Sequence, residues 1–284
     1  MLPFLVSVRK ALSMTTRYPI SNNLVFTKVM NDNKDLCIQV VERVLGFAVE
    51  DIEYVHTEHM LPSIKNRSVQ LDVVVKATGK VINLEMQTYN ASDVGRRMRV
   101  HRSLMDATQI GKGTIYGDVD DNYVVFICTF DPFGEGRARY TFRTTCKESK
   151  DIELSDGATS YVYNAAGDVS KLEEPVAELL QYILTNDVGG SDNLVQDLAR
   201  AVEVACESEE LKMGVHLYEW DLQDRYREGM RVGREEGLQE GFEKGAARMN
   251  ALFAAMIAAG VPADDIVAVI AESNIESLCE QYGV

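Results

Sequence analysis

Residues 68–88 read Ser68-Val-Gln-Leu-Asp-Val-Val-Val-Lys-Ala-Thr-Gly-Lys-Val-Ile-Asn-Leu-Glu-Met-Gln-Thr88. Two apolar, strand-like runs, 68–76 and 81–88, flank Ala77-Thr78-Gly79, a short glycine-containing turn, and the pattern predicts a β-hairpin. Side chains alternate across a strand, so Glu85 and Gln87 share a face while Met86 points into the packing. If the hairpin pairs in this way, Asp72 faces the same side as Glu85. Leu71, Val73, Val75, Val81, Leu84 and Met86 make both strands apolar, so the two acids interrupt runs that otherwise read as core. Like charges held close together are unfavourable unless a cation neutralises them. Oxygen ligands suit Mg²⁺, which takes one or two carboxylates and keeps several waters. The alternative for each acid is the polar face of a half-solvated sheet.

Working outward, Leu36, Val40, Val41, Val44 and Leu45 recur at helical spacing from Asp32 onward, and Gly46 closes that segment. A basic helix is expected from 93 to about 110. The unbroken β-branched and aromatic run 123–130 reads as a strand buried on both faces, and Asp131-Pro132-Phe133-Gly134 ends it in a turn. Weaker strands are expected at 139–143 and 159–163. Beyond Lys171 the chain reads as helical to its end, with breaks near 186–191 and 260–262. Gly229, Gly233, Gly237, Gly241 and Gly245 follow one another every fourth residue, with Met230, Leu238 and Phe242 beside them. The expected organisation is an arm at 1–21, a mixed α/β core at 22–170, acidic helices at 171–217, and a glycine-repeat long helix with a C-terminal helix at 218–284. It amounts to one α/β core with a helical appendage.

The 284 residues carry 29 Lys+Arg against 44 Asp+Glu, a net charge of −15 that argues against a polyanionic partner. The charge is unevenly spread. Residues 1–116 hold 15 Lys+Arg and 11 Asp+Glu, whereas residues 117–284 hold 14 and 33. Five widely spaced cysteines with no Cys-x-x-Cys pair indicate neither a disulfide framework nor a zinc knuckle, and fit a reducing cytosol. The apolar opening meets Arg9 and Lys10 at once, the reverse of a secretory signal. The apolar run 251–259 falls short of the roughly 20 residues that span a bilayer. A soluble cytoplasmic protein with no membrane partner is the expectation.

Asp72 followed on the next strand by Glu85-Met86-Gln87 resembles the PD-(D/E)XK nucleases, and the longer pattern is similar to their recombination-promoting, transposase-like branch. The resemblance is carried by Glu42-Arg43-Val44-Leu45-Gly46, by Ser68-Val69-Gln70-Leu71-Asp72-Val73, by Glu85-Met86-Gln87-Thr88 and by the stretch 126–134. Tyr140-Thr141-Phe142 with Cys146, Asp156-Gly157 and the Glu-Gly-x-x-x-Gly helix extend it. It implies a restriction-endonuclease-like mixed sheet flanked by helices and followed by an all-helical C-terminal region. The implied activity is that of a DNA endonuclease dependent on Mg²⁺, with Mn²⁺ as a substitute. By the same resemblance Asp72 and Glu85 hold the ion, with the Met86 carbonyl as a further ligand. Gln87 stands where many relatives have lysine, and its amide orients water without supplying charge. Glu42 matches a position that supports the metal from the opposite side; its alternative is a solvated helix residue. Relatives carry arginine where this chain has Gln70, and Arg67 is the nearby substitute for a phosphate contact.

Arg96, Arg97, Arg99 and Arg102, with His101, lie on the helix after the hairpin, and Arg96, Arg99 and Arg102 form a stripe suited to DNA phosphates. A solvated basic face is the alternative. His56 and His59 stand at i, i+3 with no third zinc ligand in sight. There is no Gly-x-Ser-x-Gly elbow and no recognisable Cys–His pairing. Spacing by four drifts only about 40° per step around a helix, and each glycine costs about 1 kcal/mol against alanine. Close approach of another backbone offsets such a cost, so homo-oligomerisation through this helix is expected, against a solvated linker. The competing function is a non-catalytic interaction protein that keeps the fold and binds a partner through its acidic half.

Overall fold

Asn22 accepts hydrogen bonds from the N–H groups of Leu24 and Val25 and so starts a helix that the sequence reading did not anticipate. In the computed structural model, residues 18–61, 69–90, 92–272 and 274–284 are described. They divide into two compact units, one reaching Val215 and one spanning His216–Val284.

The first unit contains α1 (Asn23–Asp32), α2 (Lys34–Leu45), β1 (Ile52–Leu61), β2 (Val69–Ala77), β3 (Lys80–Gln87), α3 (Val94–Gln109), β4 (Asp121–Cys128), β5 (Arg139–Phe142), β6 (Ala158–Asn164), α4 (Glu174–Thr185) and α5 (Asn193–Glu207). The strands form one mixed sheet in the order β1-β2-β3-β4-β6-β5. Strands β1, β2 and β3 run antiparallel in sequence, and β3 turns from β2 through Gly79 at φ +71°. β3 pairs parallel with β4, and β4 with β6. A parallel neighbour needs a crossover, which α3 supplies between β3 and β4.

Each face of the sheet is covered. On one side Val73, Val75, Ile82, Leu84, Met86, Val125, Ile127 and Tyr163 pack against α1, α2, α4 and α5. On the other, Val94, Met98 and Met105 of α3 pack against Leu71, Val74, Val81, Val124, Phe126, Cys128 and Val162. β4 lies between β3 and β6 with both faces covered, which is why its sequence is an unbroken apolar run. Its span, Asp121–Cys128, starts and ends two residues earlier than the 123–130 run suggests.

Three differences from the sequence reading have physical causes. First, α1 exists because Val25, Phe26, Val29 and Met30 make one buried face. Second, β1 was not anticipated because it is an edge strand: it pairs with β2 alone, so Ile-Glu-Tyr-Val-His-Thr-Glu-His-Met-Leu has no need of an apolar run. His56 and His59 fall in it, and among the described residues no metal-binding group of three or more His, Cys, Asp or Glu occurs. Third, the core does not end at residue 170. Leu179, Leu180 and Ile183 of α4 and Val195, Leu198 and Val202 of α5 belong to the same buried cluster as the sheet. These helices are a layer of the α/β fold rather than an appendage to it.

Helix α6 (Glu209–Ala258) starts in the first unit, where Leu211 and Val215 join the core. In the second unit, the end of α6 with α7 (Ala263–Glu272) and α8 (Ile275–Tyr282) buries Leu252, Met256, Ile266, Leu278 and Cys279. The five glycines spaced by four lie in the exposed middle of α6, where an added Cβ would meet no atom within 4 Å. Tyr226, Met230, Leu238 and Phe242 are exposed on the same stretch. Among the described residues no helix is long and apolar enough to cross a membrane.

Candidate active site

The β2–β3 ladder runs regularly from Ala77 opposite Lys80 to Val73 opposite Leu84. One step further, the two carboxylates take over from backbone acceptors. The Asp72 N–H donates to Glu85 Oε1 at 3.0 Å, and the Met86 N–H donates to Asp72 Oδ2 at 3.0 Å. Buried N–H groups must find acceptors, and here the side chains of the acids provide them. Asp72 is 5% exposed and Glu85 1%, so both acids lie in the core and neither is the polar face of a half-solvated sheet.

Alternation along β3 sorts the rest of the site. Ile82, Leu84 and Met86 join the cluster under α1 and α2, while Val81 joins the cluster under α3. Asn83, Glu85 and Gln87 make their contacts with α3. Asn83 Nδ2 donates to Glu85 Oε1 at 2.8 Å and to the Val73 carbonyl at 3.2 Å. His101 Nδ1 lies 3.2 Å from Asn83 Oδ1 and 3.4 Å from Glu85 Oε1, and its ring rests against Phe126. Backbone, Asn83 and His101 thus converge on one oxygen of Glu85. Gln87 Oε1 accepts from Arg97 Nη1, and the Arg97 guanidinium sits 5.8 Å from the centre of the Phe126 ring.

The electrostatics follow from burial. Desolvation, and next the charge of Glu85, push the Asp72 carboxyl up to about 7. The Met86 N–H, a hydrogen bond from the Asn23 side chain and the Arg97 charge act the other way without cancelling the rise. Two buried acids side by side are an arrangement that a divalent cation would relieve. Two carboxylates are hard oxygen donors of the kind that suit Mg²⁺.

Not every expected residue reaches this place. Glu42 accepts the Val49 N–H at 2.8 Å and holds the loop after α2; it does not complete a three-acid group with Asp72 and Glu85. The α1 residue Asn23 contacts Asp72 instead. Its signal was the pair Asn22-Asn23, of which one asparagine suffices to cap the helix. The arginine stripe is divided. Val94, Met98, His101 and Met105 are the buried face of α3, so Arg97 and Arg102 flank the sheet while Arg96 and Arg99 face outward, exposed. Arg102 Nη2 donates to Ser160 Oγ, tying α3 to β6. Arg67 lies outside the described residues.

Residues 22–161 match the family model described as PD-(D/E)XK nuclease family transposase. No curated protein and no solved structure matches the chain.

Proposed function

We propose that this chain, whose residues 22–161 form a PD-(D/E)XK nuclease family transposase domain, is a Mg²⁺-dependent DNA endonuclease with its centre at Asp72 and Glu85. The observation that carries the reading is the pairing of these buried acids where β2 and β3 part, each oriented by a backbone N–H. A structural core has no use for two such carboxylates, whose burial without a partner is costly. A divalent ion held there, with Mn²⁺ as a substitute, would lower the pKa of a bound water and offset the charge that builds on the attacked phosphate.

The residues divide the work as follows. Asp72 and Glu85 are the metal ligands, joined by the Met86 carbonyl. Donors crowd Glu85 Oε1, which would leave Oε2 to hold the ion. Gln87 has its amide oxygen occupied by Arg97 and presents N–H groups to water or phosphate. Arg96 and Arg99, exposed on α3, meet the DNA backbone, with Arg67 as a further contact. The glycine face of α6 joins two copies of the chain. Five free cysteines fit a reducing cytosol.

The test is nicking of supercoiled plasmid with and without Mg²⁺, by the wild type and by Asp72→Ala. Metal-dependent nicking that disappears in a mutant with an unchanged circular dichroism spectrum is the expected result. Full nicking by the folded mutant would sink the assignment. The strongly acidic composition of residues 117–284 favours one competing reading, a non-catalytic module that binds a protein partner, and absence of Mn²⁺ binding in calorimetry would support it.

A further inference from the structure

We propose that Arg97 is a positioning residue for Gln87 and the source of positive charge at that end of the site, so that a neutral amide and a guanidinium act together on the reacting phosphate. The inference rests on the nuclease reading above and deepens it. Attack on a phosphodiester concentrates negative charge on the phosphoryl oxygens, and donors fixed in advance stabilise that charge most effectively. Gln87 alone supplies donors but no charge.

Four observations join the two residues. Gln87, the last residue of β3, is 6% exposed, and its Oε1 accepts from Arg97 Nη1. An amide whose oxygen is held has a fixed orientation, with its NH₂ group turned away from the arginine. Arg97 is in turn held by its helix, whose neighbouring Val94, Met98 and His101 are buried against the sheet, and by the face of Phe126, a ring that attracts a cation. Among the described residues no carboxylate forms a salt bridge with Arg97. Its charge is felt at Asp72, where it opposes the upward push of burial. Arg96 and Arg99 are exposed and Arg102 is bound to Ser160, so neither they nor Arg102 serve this role.

The test uses Arg97→Gln, which keeps a donor for Gln87 but removes the charge, and the double variant Arg97→Gln/Gln87→Lys, which returns an ammonium at the strand position. Arg97→Gln is expected to lower kcat for plasmid nicking about 10²-fold, the effect of losing one charge-stabilising group, with KM for DNA little changed. The double variant is expected to recover most of that loss. Mn²⁺ calorimetry reads the charge independently of turnover: affinity rises severalfold in Arg97→Gln and falls back in the double variant, because a cation beside the carboxylates repels the metal. A KM increase alone, with a shallower salt dependence, would make Arg97 a simple phosphate contact and overturn the proposal. Unchanged kcat in Arg97→Gln, or failure of the folded double variant to recover, would do the same. If the wild type nicks nothing, the nuclease reading falls, and equal Mn²⁺ affinity in all three proteins would then refute the charge placement separately.

Discussion

The backbone N–H of Asp72 donates to Oε1 of Glu85 at 3.0 Å, so the main chain of one acid fixes the side chain of the other. The arrangement has a cost in the metal-free protein. Burial and the Glu85 charge raise the Asp72 carboxyl from 3.8 to about 7. The folded state therefore keeps a proton that the unfolded chain releases earlier, and stability falls as pH rises from about 4 to about 7, by a few kcal/mol in order of magnitude. Asp72→Asn, which still accepts the Met86 N–H, should match the wild type near pH 4 and melt at a higher temperature at pH 8 without metal. Parallel melting curves across that range would contradict this account.

Asn83 is fully buried and donates to both Glu85 Oε1 and the Val73 carbonyl. Asn83→Leu removes one of the donors to Glu85 Oε1, the donor to the Val73 carbonyl and the Asn83 Oδ1 contact of His101 Nδ1, and a buried group left unpaired costs roughly 1–3 kcal/mol. It also leaves Glu85 Oε1 held by the Asp72 N–H with one donor fewer. Mn²⁺ affinity should drop about tenfold or more, as for other groups that orient a metal ligand. Calorimetry on a folded Asn83→Leu protein with undiminished affinity would remove Asn83 from this role.

Arg43 Nη1 pairs with Asp192 Oδ2 at 2.6 Å and also donates to the Pro175 carbonyl at 3.3 Å, fastening α2 to the starts of α4 and α5. Asp192 caps α5 as well, accepting the Val195 N–H at 3.0 Å. Asp192→Ala should lower stability by about 2 kcal/mol, about half from the cap and the rest from a guanidinium left without its acid. A larger deletion has a sharper outcome. Removing everything after residue 171 strips Leu179, Leu180 and Leu198 from the core cluster, so the shortened chain should express as an insoluble protein. A soluble, monodisperse fragment ending there would show that the sheet needs no α4–α5 layer.

The exposed middle of α6 offers a separate test. An isolated helix gains about 1 kcal/mol when a glycine becomes alanine, and no neighbour within the chain obstructs a Cβ at Gly233 or Gly237. If this face joins two copies, bulk there keeps them apart. Light scattering should therefore show the wild-type mass fall with Gly233→Leu/Gly237→Leu while helical content holds. Equal masses for the two proteins would end the self-association proposal.

Much of the site could be read locally. The hairpin, its turn at Gly79 and the shared face of Glu85 and Gln87 follow from an alternation of period two. Helix α2 was visible in its apolar spacing and its closing Gly46, which adopts φ +79°. The basic helix was also visible, but not which of its arginines would serve the site. Helical periodicity tells which residues share a face; it does not tell which face a sheet will cover.

The sequence by itself determined the hairpin, the acids on it, the buried β4 and the division into a mildly basic start and an acidic remainder. These rest on neighbours close along the chain, where strand alternation and turn chemistry act. Only the tertiary structure decided that Asn23 touches Asp72, that Arg97 turns to Gln87 while Arg102 turns to Ser160, and that α4 and α5 complete the core. Each of these depends on how one element docks on another far away in sequence. Docking is set by the summed burial of whole apolar faces, a quantity that no local pattern contains.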